Sequence, residues 1–171
     1  NDLTDTVSEG MRLRLTRTVS APTQCADLEA SSSQAFTATN ATGLATGTTW
    51  TWKAKIKPES HTLGVIGAID DGTNRMEIRQ LATGQIEIAG GTTAAEDLVT
   101  SYQSVVIGKW QEVTASITIG TPTGEVRIDD VVVPSFVTAS AATTMTISGD
   151  EEIYIGRDAA GRYYDGKICQ V

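Results

Sequence analysis

The chain has 171 residues, enough for one domain of ordinary size, or two small ones, to bury a core without help from disulfides or metals. Forty per cent of it is apolar, 20% is charged and 26 residues are Thr, a branched residue that favours a pleated surface, whereas a helical domain would lean on Leu, Glu, Lys and Gln. The formal net charge of −8 argues against nucleic acid as a partner, because neutralising phosphates takes clustered Lys and Arg. No apolar run approaches the roughly 18 residues that suggest a membrane span.

Residues 1–10, with Asp2, Asp5 and Glu9, lack the basic end and apolar stretch of a signal peptide, so the chain is expected to be soluble. Residues 11–19 place Met11, Leu13 and Leu15 on one face and Arg12, Arg14 and Thr16 on the other. A period of two over that length predicts a strand. Ala21-Pro22-Thr23 breaks it, a short segment at 25–29 resumes, the polar turn Ser31-Ser32-Ser33-Gln34 follows, Phe36 opens another short strand, and Asn40-Ala41-Thr42-Gly43 is a loop.

Residues 49–57 carry the clearest pattern: Trp50, Trp52, Ala54 and Ile56 share one face, Thr51, Lys53, Lys55 and Lys57 the other, and Pro58 ends the strand. Two tryptophans two residues apart can form a sugar-stacking platform. Here they are assigned to the core, because the opposite face is lysine-rich and only one face can be wet. Strands at 63–69, 75–80 and 85–89, joined through Asp70-Asp71-Gly72 and Ala82-Thr83-Gly84, make a meander, since Gly supplies the positive φ of tight turns. Residues 90–97 read as a loop. Strands are then expected at 98–107, 110–119, 125–128 and 131–133, with Asp129-Asp130 as a two-residue hairpin turn, and later at 143–147, 152–155 and 167–171. No segment repeats apolar residues at three-four spacing for three turns, and the turns recur at the interval of a β-sandwich.

Cys25 and Cys169 are too few for a disulfide framework, and with one histidine, His61, a zinc site lacks ligands. The two cysteines are either small buried apolar residues or a single bridge joining the first part of the chain to the last, which would imply an oxidising compartment.

The order of motifs from Cys25 to Val171 resembles the concanavalin A-like jelly rolls, and within them the laminin G-like domains of the pentraxin type. It rests on Ala26 to Phe36, on Trp52-Lys53-Ala54-Lys55-Ile56-Lys57-Pro58, and on Gly108-Lys109-Trp110-Gln111-Glu112-Val113. Val126-Arg127-Ile128-Asp129-Asp130 and Tyr154-Ile155-Gly156-Arg157 with Tyr164-Asp165-Gly166-Lys167-Ile168 complete it, Asp130 replacing the usual Gly. The resemblance implies an all-β, two-sheet antiparallel jelly-roll sandwich over residues 21–171, with residues 1–20 as an N-terminal segment that adds an edge strand or pairs with a neighbouring subunit. It also implies that the first and last strands lie side by side, bringing Cys25 next to Cys169. Fold does not settle function, because this architecture hosts lectins, glycan hydrolases, adhesion modules and virus surface proteins.

Hydrolases of this fold mount their acids as Glu-x-Asp-x-Glu on one strand. The nearest match, Glu125-Val126-Arg127-Ile128-Asp129, has arginine at the centre, and Glu77, Arg79 and Glu87 read as solvated faces of the meander. No Gly-x-Ser-x-Gly elbow or phosphate-cradling loop occurs, so no catalytic residue and no enzyme is expected. Many relatives bind calcium. Asp70, Asp71 and Asn74 form one oxygen-rich turn and Asp150, Glu151 and Glu152 another, but the early turn at 31–34 has no acid, so no cofactor is expected.

Ligand contacts are expected on loops. Arg157, Asp158, Arg162, Tyr163 and Tyr164 crowd one loop, where two aromatics, two guanidiniums and a carboxylate suit a sugar; the alternative is that Tyr164 packs inward and the rest is a solvated hairpin. Asp71, Asn74 and Arg75 form the second candidate loop. The expected function is a non-enzymatic, lectin-like recognition or adhesion module, extracellular or on a virion surface, with a glycan or surface protein as partner. The alternative is a structural assembly subunit, a virion decoration or tail protein or a filament component, docked through the N-terminal segment.

Overall fold

The structure, a computed structural model, describes residues 25–38, 48–92, 95–121, 123–140 and 151–169. The strand expected at 11–19, the loop at 40–43, the strand at 143–147 and Asp150 lie outside the described residues. In chain order the strands are β1 (Ala26–Leu28), β2 (Phe36–Ala38), β3 (Thr49–Pro58), β4 (Gly64–Asp70), β5 (Asn74–Gln80), β6 (Gln85–Thr92) and β7 (Ala95–Ser104). They continue as β8 (Gln111–Thr118), β9 (Thr123–Ile128), β10 (Val131–Val133), β11 (Ser135–Ser140), β12 (Glu152–Ile155) and β13 (Gly166–Cys169). One sheet has the order β1-β13-β3-β8-β9-β10, the other β11-β7-β6-β5-β4-β12-β2, and neighbouring strands pair antiparallel. This is the expected jelly-roll sandwich.

The alternation in β3 does what its sequence demands. Trp52, Ala54 and Ile56 are buried and pair with Ala115, Val113 and Gln111 of β8, while the lysines face solvent. Across the sandwich the Trp52 ring lies over Gly67, where a Cβ would come within 2.7 Å of it, so the tryptophan is core and only glycine fits beneath it. Met76, Ile78, Ile86, Ile88 and Val99 complete the facing wall. The β9–β10 hairpin turns on Asp129 and Asp130, both with positive φ. The Asp129 side chain offsets its strain by accepting the Glu112 N–H at 2.9 Å.

Two expectations are corrected. The loop expected at 90–97 is largely strand: Gly90, Gly91 and Thr92 stay in β6 and pair with Asp97, Glu96 and Ala95 of β7, because glycines in a strand weaken its sequence signal without ending its ladder. The strand expected at 98–107 ends at Ser104, and Val106-Ile107-Gly108 forms a turn whose Gly108 N–H bonds Pro58 O at 2.7 Å. β11 has no clear signature in the sequence and follows Pro134 as an edge strand on β7.

The β1–β13 register, Ala26 opposite Ile168, brings the two cysteines together, and Cys25–Cys169 is a disulfide with Cα atoms 4.6 Å apart. The bridge is therefore the reading that holds, and separate buried thiols are excluded. It closes a loop of 144 residues in sequence separation, which shrinks the unfolded ensemble far more than it restrains the fold. Replacing both cysteines by serine is expected to lower unfolding stability by about 3–5 kcal/mol. Denaturant midpoints of the two proteins check this, and reductant should shift only that of the parent.

Candidate functional site

The outer face of the seven-stranded sheet carries the chemistry. On this face β5 presents Arg75, Glu77 and Arg79, β6 Glu87 and Ala89, β7 Leu98, Thr100 and Tyr102, as the cross-strand register requires. Glu77 is 0% exposed, and Arg79, Glu87 and Thr100 are buried with it. The expectation of a solvated face is thus corrected. Alternation identifies a polar face, but whether that face is wet depends on what folds over it.

Over its Glu77 end folds the loop at 157–165. It continues the sheet past the end of β12 through Val65 N–H to Arg162 O at 3.1 Å and Tyr164 N–H to Gly156 O at 2.8 Å, with a parallel bridge between Val65 and Tyr163. From there the Arg162 guanidinium reaches both carboxylate oxygens of Glu77, at 2.9 and 2.8 Å, and is held from behind by Asp158. Arg79 bonds Glu77 and donates Nε to Glu87 at 2.6 Å. Glu87 also accepts Thr100 Oγ1 at 2.5 Å and Thr138 Oγ1 at 3.3 Å. Burial works against the Arg162 charge, but Glu77 and then Asp158 outweigh it, so its pKa stands above the ordinary arginine value. Two guanidiniums against three carboxylates leave the network one negative charge.

Of the expected ligand residues, Asp158, Arg162 and Tyr164 are committed to this architecture. Tyr164 is buried in the core and its hydroxyl meets no hydrogen-bond partner. Burial first, then the Asp165 and Glu59 charges, raise its pKa far above the usual tyrosine value. Arg75 is paired with Glu96, and Asp71 is tied to its own turn, accepting Thr73 N–H at 2.9 Å and Asn74 N–H at 2.6 Å. Arg157 lies 4.9 Å over the Tyr154 ring and reaches Thr37, with Tyr163 half-buried nearby in sequence.

The structure does join the two candidate loops. Asp70, Asp71 and Gly72 of the β4–β5 turn, Glu152 and Tyr154 of β12 and Ala159 line one cleft of about 280 Å³, because β12 pairs with β4 with Glu152 opposite Asp70. Calcium wants six to eight oxygens. Among the described residues this cleft gathers three carboxylates, each accepting a hydrogen bond, from Gly72 N–H, from the Asp71 turn and from the Tyr154 hydroxyl.

The sequence reading missed the aromatic pair. Tyr102, 64% exposed, packs against Phe136 with ring centroids 4.5 Å apart, and Phe136 stands opposite Thr100 in the β11–β7 register. A platform of two aromatics thus borders the row Thr138, Thr100 and Glu87 at one flank of the face, while the acidic cleft lies at the other. Nothing in β11's sequence announces it, since Phe136 meets Tyr102 only through a pairing between strands 34 residues apart.

Sequence comparison places residues 30–171 in the family described as concanavalin A-like lectin/glucanases superfamily, laminin G type. No curated protein sequence matches. Among solved structures the chain is similar to domains LG4-5 of the mouse laminin alpha1 chain, at TM-score 0.63 and 11% identity, covering 96% of this chain and 45% of that one. The LG1-3 region of the laminin alpha2 chain gives 0.59 at 13% identity, covering 78% and 28%. A heptameric SAP-like pentraxin from Limulus polyphemus gives 0.54 at 14%, covering 76% and 65%. The chain spans less than two thirds of each, and these likenesses concern the fold.

Two outcomes follow, one from the network and one from Tyr164. Arg79→Met leaves Glu77 and Glu87 buried without their shared cation and is expected to cost about 3–5 kcal/mol, whereas Arg127→Met, which breaks an exposed pair with Glu125, should cost less than about 1 kcal/mol; chemical unfolding of both variants distinguishes them. For Tyr164 the unfolded state loses a proton above about pH 10 and the folded state does not, so stability falls as pH rises through that value. Tyr164→Phe removes this fall and leaves no buried hydroxyl unpaired. Unfolding measured from pH 8 to 11 should show a shallower decline in the variant.

Proposed function

This chain belongs to the concanavalin A-like lectin/glucanase superfamily, and from that premise we propose that it is a non-enzymatic recognition module that binds a glycan on the outer face of its seven-stranded sheet. The carrying observation is the exposed Tyr102 ring packed on half-buried Phe136, beside the exposed Thr138 hydroxyl that the buried Thr100 and Glu87 hold in place. An aromatic face stacks on the C–H face of a sugar ring while neighbouring polar groups bond its hydroxyls. The nearby acids do not read as a hydrolytic pair, since Glu77 and Glu87 share Arg79 and neither is left to move a proton to a ligand. The disulfide suits an oxidising compartment, and no described helix is long and apolar enough to cross a membrane. We place the module outside a cell or on a virion.

A second reading, a structural assembly subunit, draws on the edge strands β10 and β11. Val131 is 63% exposed and Val132 and Val137 are also exposed, and open apolar edges invite pairing with another chain. A glycan array followed by titration separates the two. Saturable binding that weakens at least tenfold in Tyr102→Ala, with the melting temperature unchanged, supports the glycan reading. A blank array together with concentration-dependent association in sedimentation replaces it with the assembly reading.

A further inference from the structure

The hydroxyls beside the aromatic platform have a fixed direction. One carboxylate oxygen of Glu87 accepts Arg79 Nε at 2.6 Å, and a carboxylate paired with a guanidinium only accepts. Its other oxygen takes the Thr100 hydroxyl at 2.5 Å. A hydroxyl owns one proton, so Thr100 has none left for the Thr138 oxygen, which lies 2.7 Å away. Two hydroxyl oxygens at that distance need a proton between them, and it comes from Thr138. The longer contact from Thr138 to the same Glu87 oxygen, 3.3 Å, draws that proton the same way. Thr138 is exposed, yet its one proton points into the sheet. What it offers a ligand is lone pairs.

The charge around it has the same sense. Arg79 and Arg162 face Glu77, Glu87 and Asp158, two cations against three anions. Arg75 is paired with Glu96, and Arg157 stacks on Tyr154 and donates to Thr37. The lysines lie elsewhere: Lys53, Lys55 and Lys57 on β3 and Lys167 on β13, in the six-stranded sheet, and Lys109 in the turn before β8. Among the described residues, no uncommitted cation stands at the platform to meet an anionic ligand.

Resting on the glycan reading, we propose that the Tyr102–Phe136 platform selects a neutral sugar that donates a hydroxyl proton to Thr138, and rejects the same sugar with sulfate in place of that hydroxyl. A sulfate there sets oxygens without protons against the Thr138 lone pairs and the excess carboxylate, and gives up its hydration for nothing. A sugar hydroxyl supplies the missing donor without bringing charge. Thr138 is then a specificity residue, held in its orientation by Thr100 and Glu87. A site built to bond one hydroxyl discriminates against an analogue that leaves the bond unmade.

Titration calorimetry on the full chain tests this with the tightest neutral oligosaccharide from a glycan array, and with versions of it deoxygenated or sulfated at one hydroxyl at a time. At one hydroxyl both changes should weaken binding about tenfold or more, and no sulfate should tighten it. Thr138→Val should weaken the neutral sugar by a similar factor and abolish its advantage over that deoxy sugar, with the melting temperature unchanged. Thr138→Ser, which keeps the hydroxyl, should bind within about threefold of the parent. Affinity for the neutral sugar should hold from about 50 to 500 mM salt, since no charge is neutralised on binding. Tighter binding of a sulfated sugar that is lost in Tyr102→Ala overturns this selectivity and leaves the glycan reading standing. Undiminished binding of the neutral sugar by Thr138→Val overturns it in the same way. A blank array, or binding that Tyr102→Ala does not weaken, removes both.

Discussion

The pairing of Arg162 and Arg79 with Glu77 sets the form of the outer face. A carboxylate taken fully out of water is costly unless it is matched by cations and hydrogen bonds, and Glu77 sits at the centre of its sheet with no exposure. Arg79 supplies one cation from the same strand. The other comes from a loop 85 residues away in sequence, so the loop at 157–165 is folded onto the sheet by the charge it must satisfy. Once there, the loop carries Tyr164 into the core and Ala159 to the cleft. One electrostatic requirement therefore positions core, cleft and face together.

The two sheets divide the work. The six-stranded sheet has an outer face of alternating lysine, threonine and acid, and its ends are tied by the Cys25–Cys169 bridge next to the β1 edge. The seven-stranded sheet turns outward a face whose polar groups are fixed by one another before any ligand arrives. Preorganised groups of this kind lose little freedom on binding.

Much of this was readable from local pattern. Trp52, Ala54 and Ile56 against Lys53, Lys55 and Lys57, and Val113, Ala115 and Ile117 in β8, announce half-buried strands because a period of two leaves each side chain one choice of face. Asp129-Asp130 announces its hairpin by turn chemistry. The burial of Glu77, Arg79 and Glu87 was not readable in the same way, although the β5–β6 hairpin register already sets Arg79 opposite Glu87. Glu77 is met by Arg162, which pattern alone leaves on a separate loop, and Glu87 by Thr100 and Thr138 of two other strands. β11 has no sequence signature for a related reason: an edge strand after Pro134, half-buried or exposed at residues 135–139, has no buried face to impose alternation.

By itself the sequence determined the class of fold, the strands with one wet face and the central place of Trp52, since each follows from side-chain alternation and turn residues within a few positions. It also brought the candidate loop residues to attention as a set of chemical types. Only the tertiary structure decided which of them are available. Arg162, Asp158 and Tyr164 are drawn inward by burial and ion pairing, the acids of two separate turns meet in one cleft because β12 pairs with β4, and Tyr102 meets Phe136 across strands. Those outcomes depend on contacts between distant segments, and the free energy of a charge or an aromatic ring depends on the neighbours it is given.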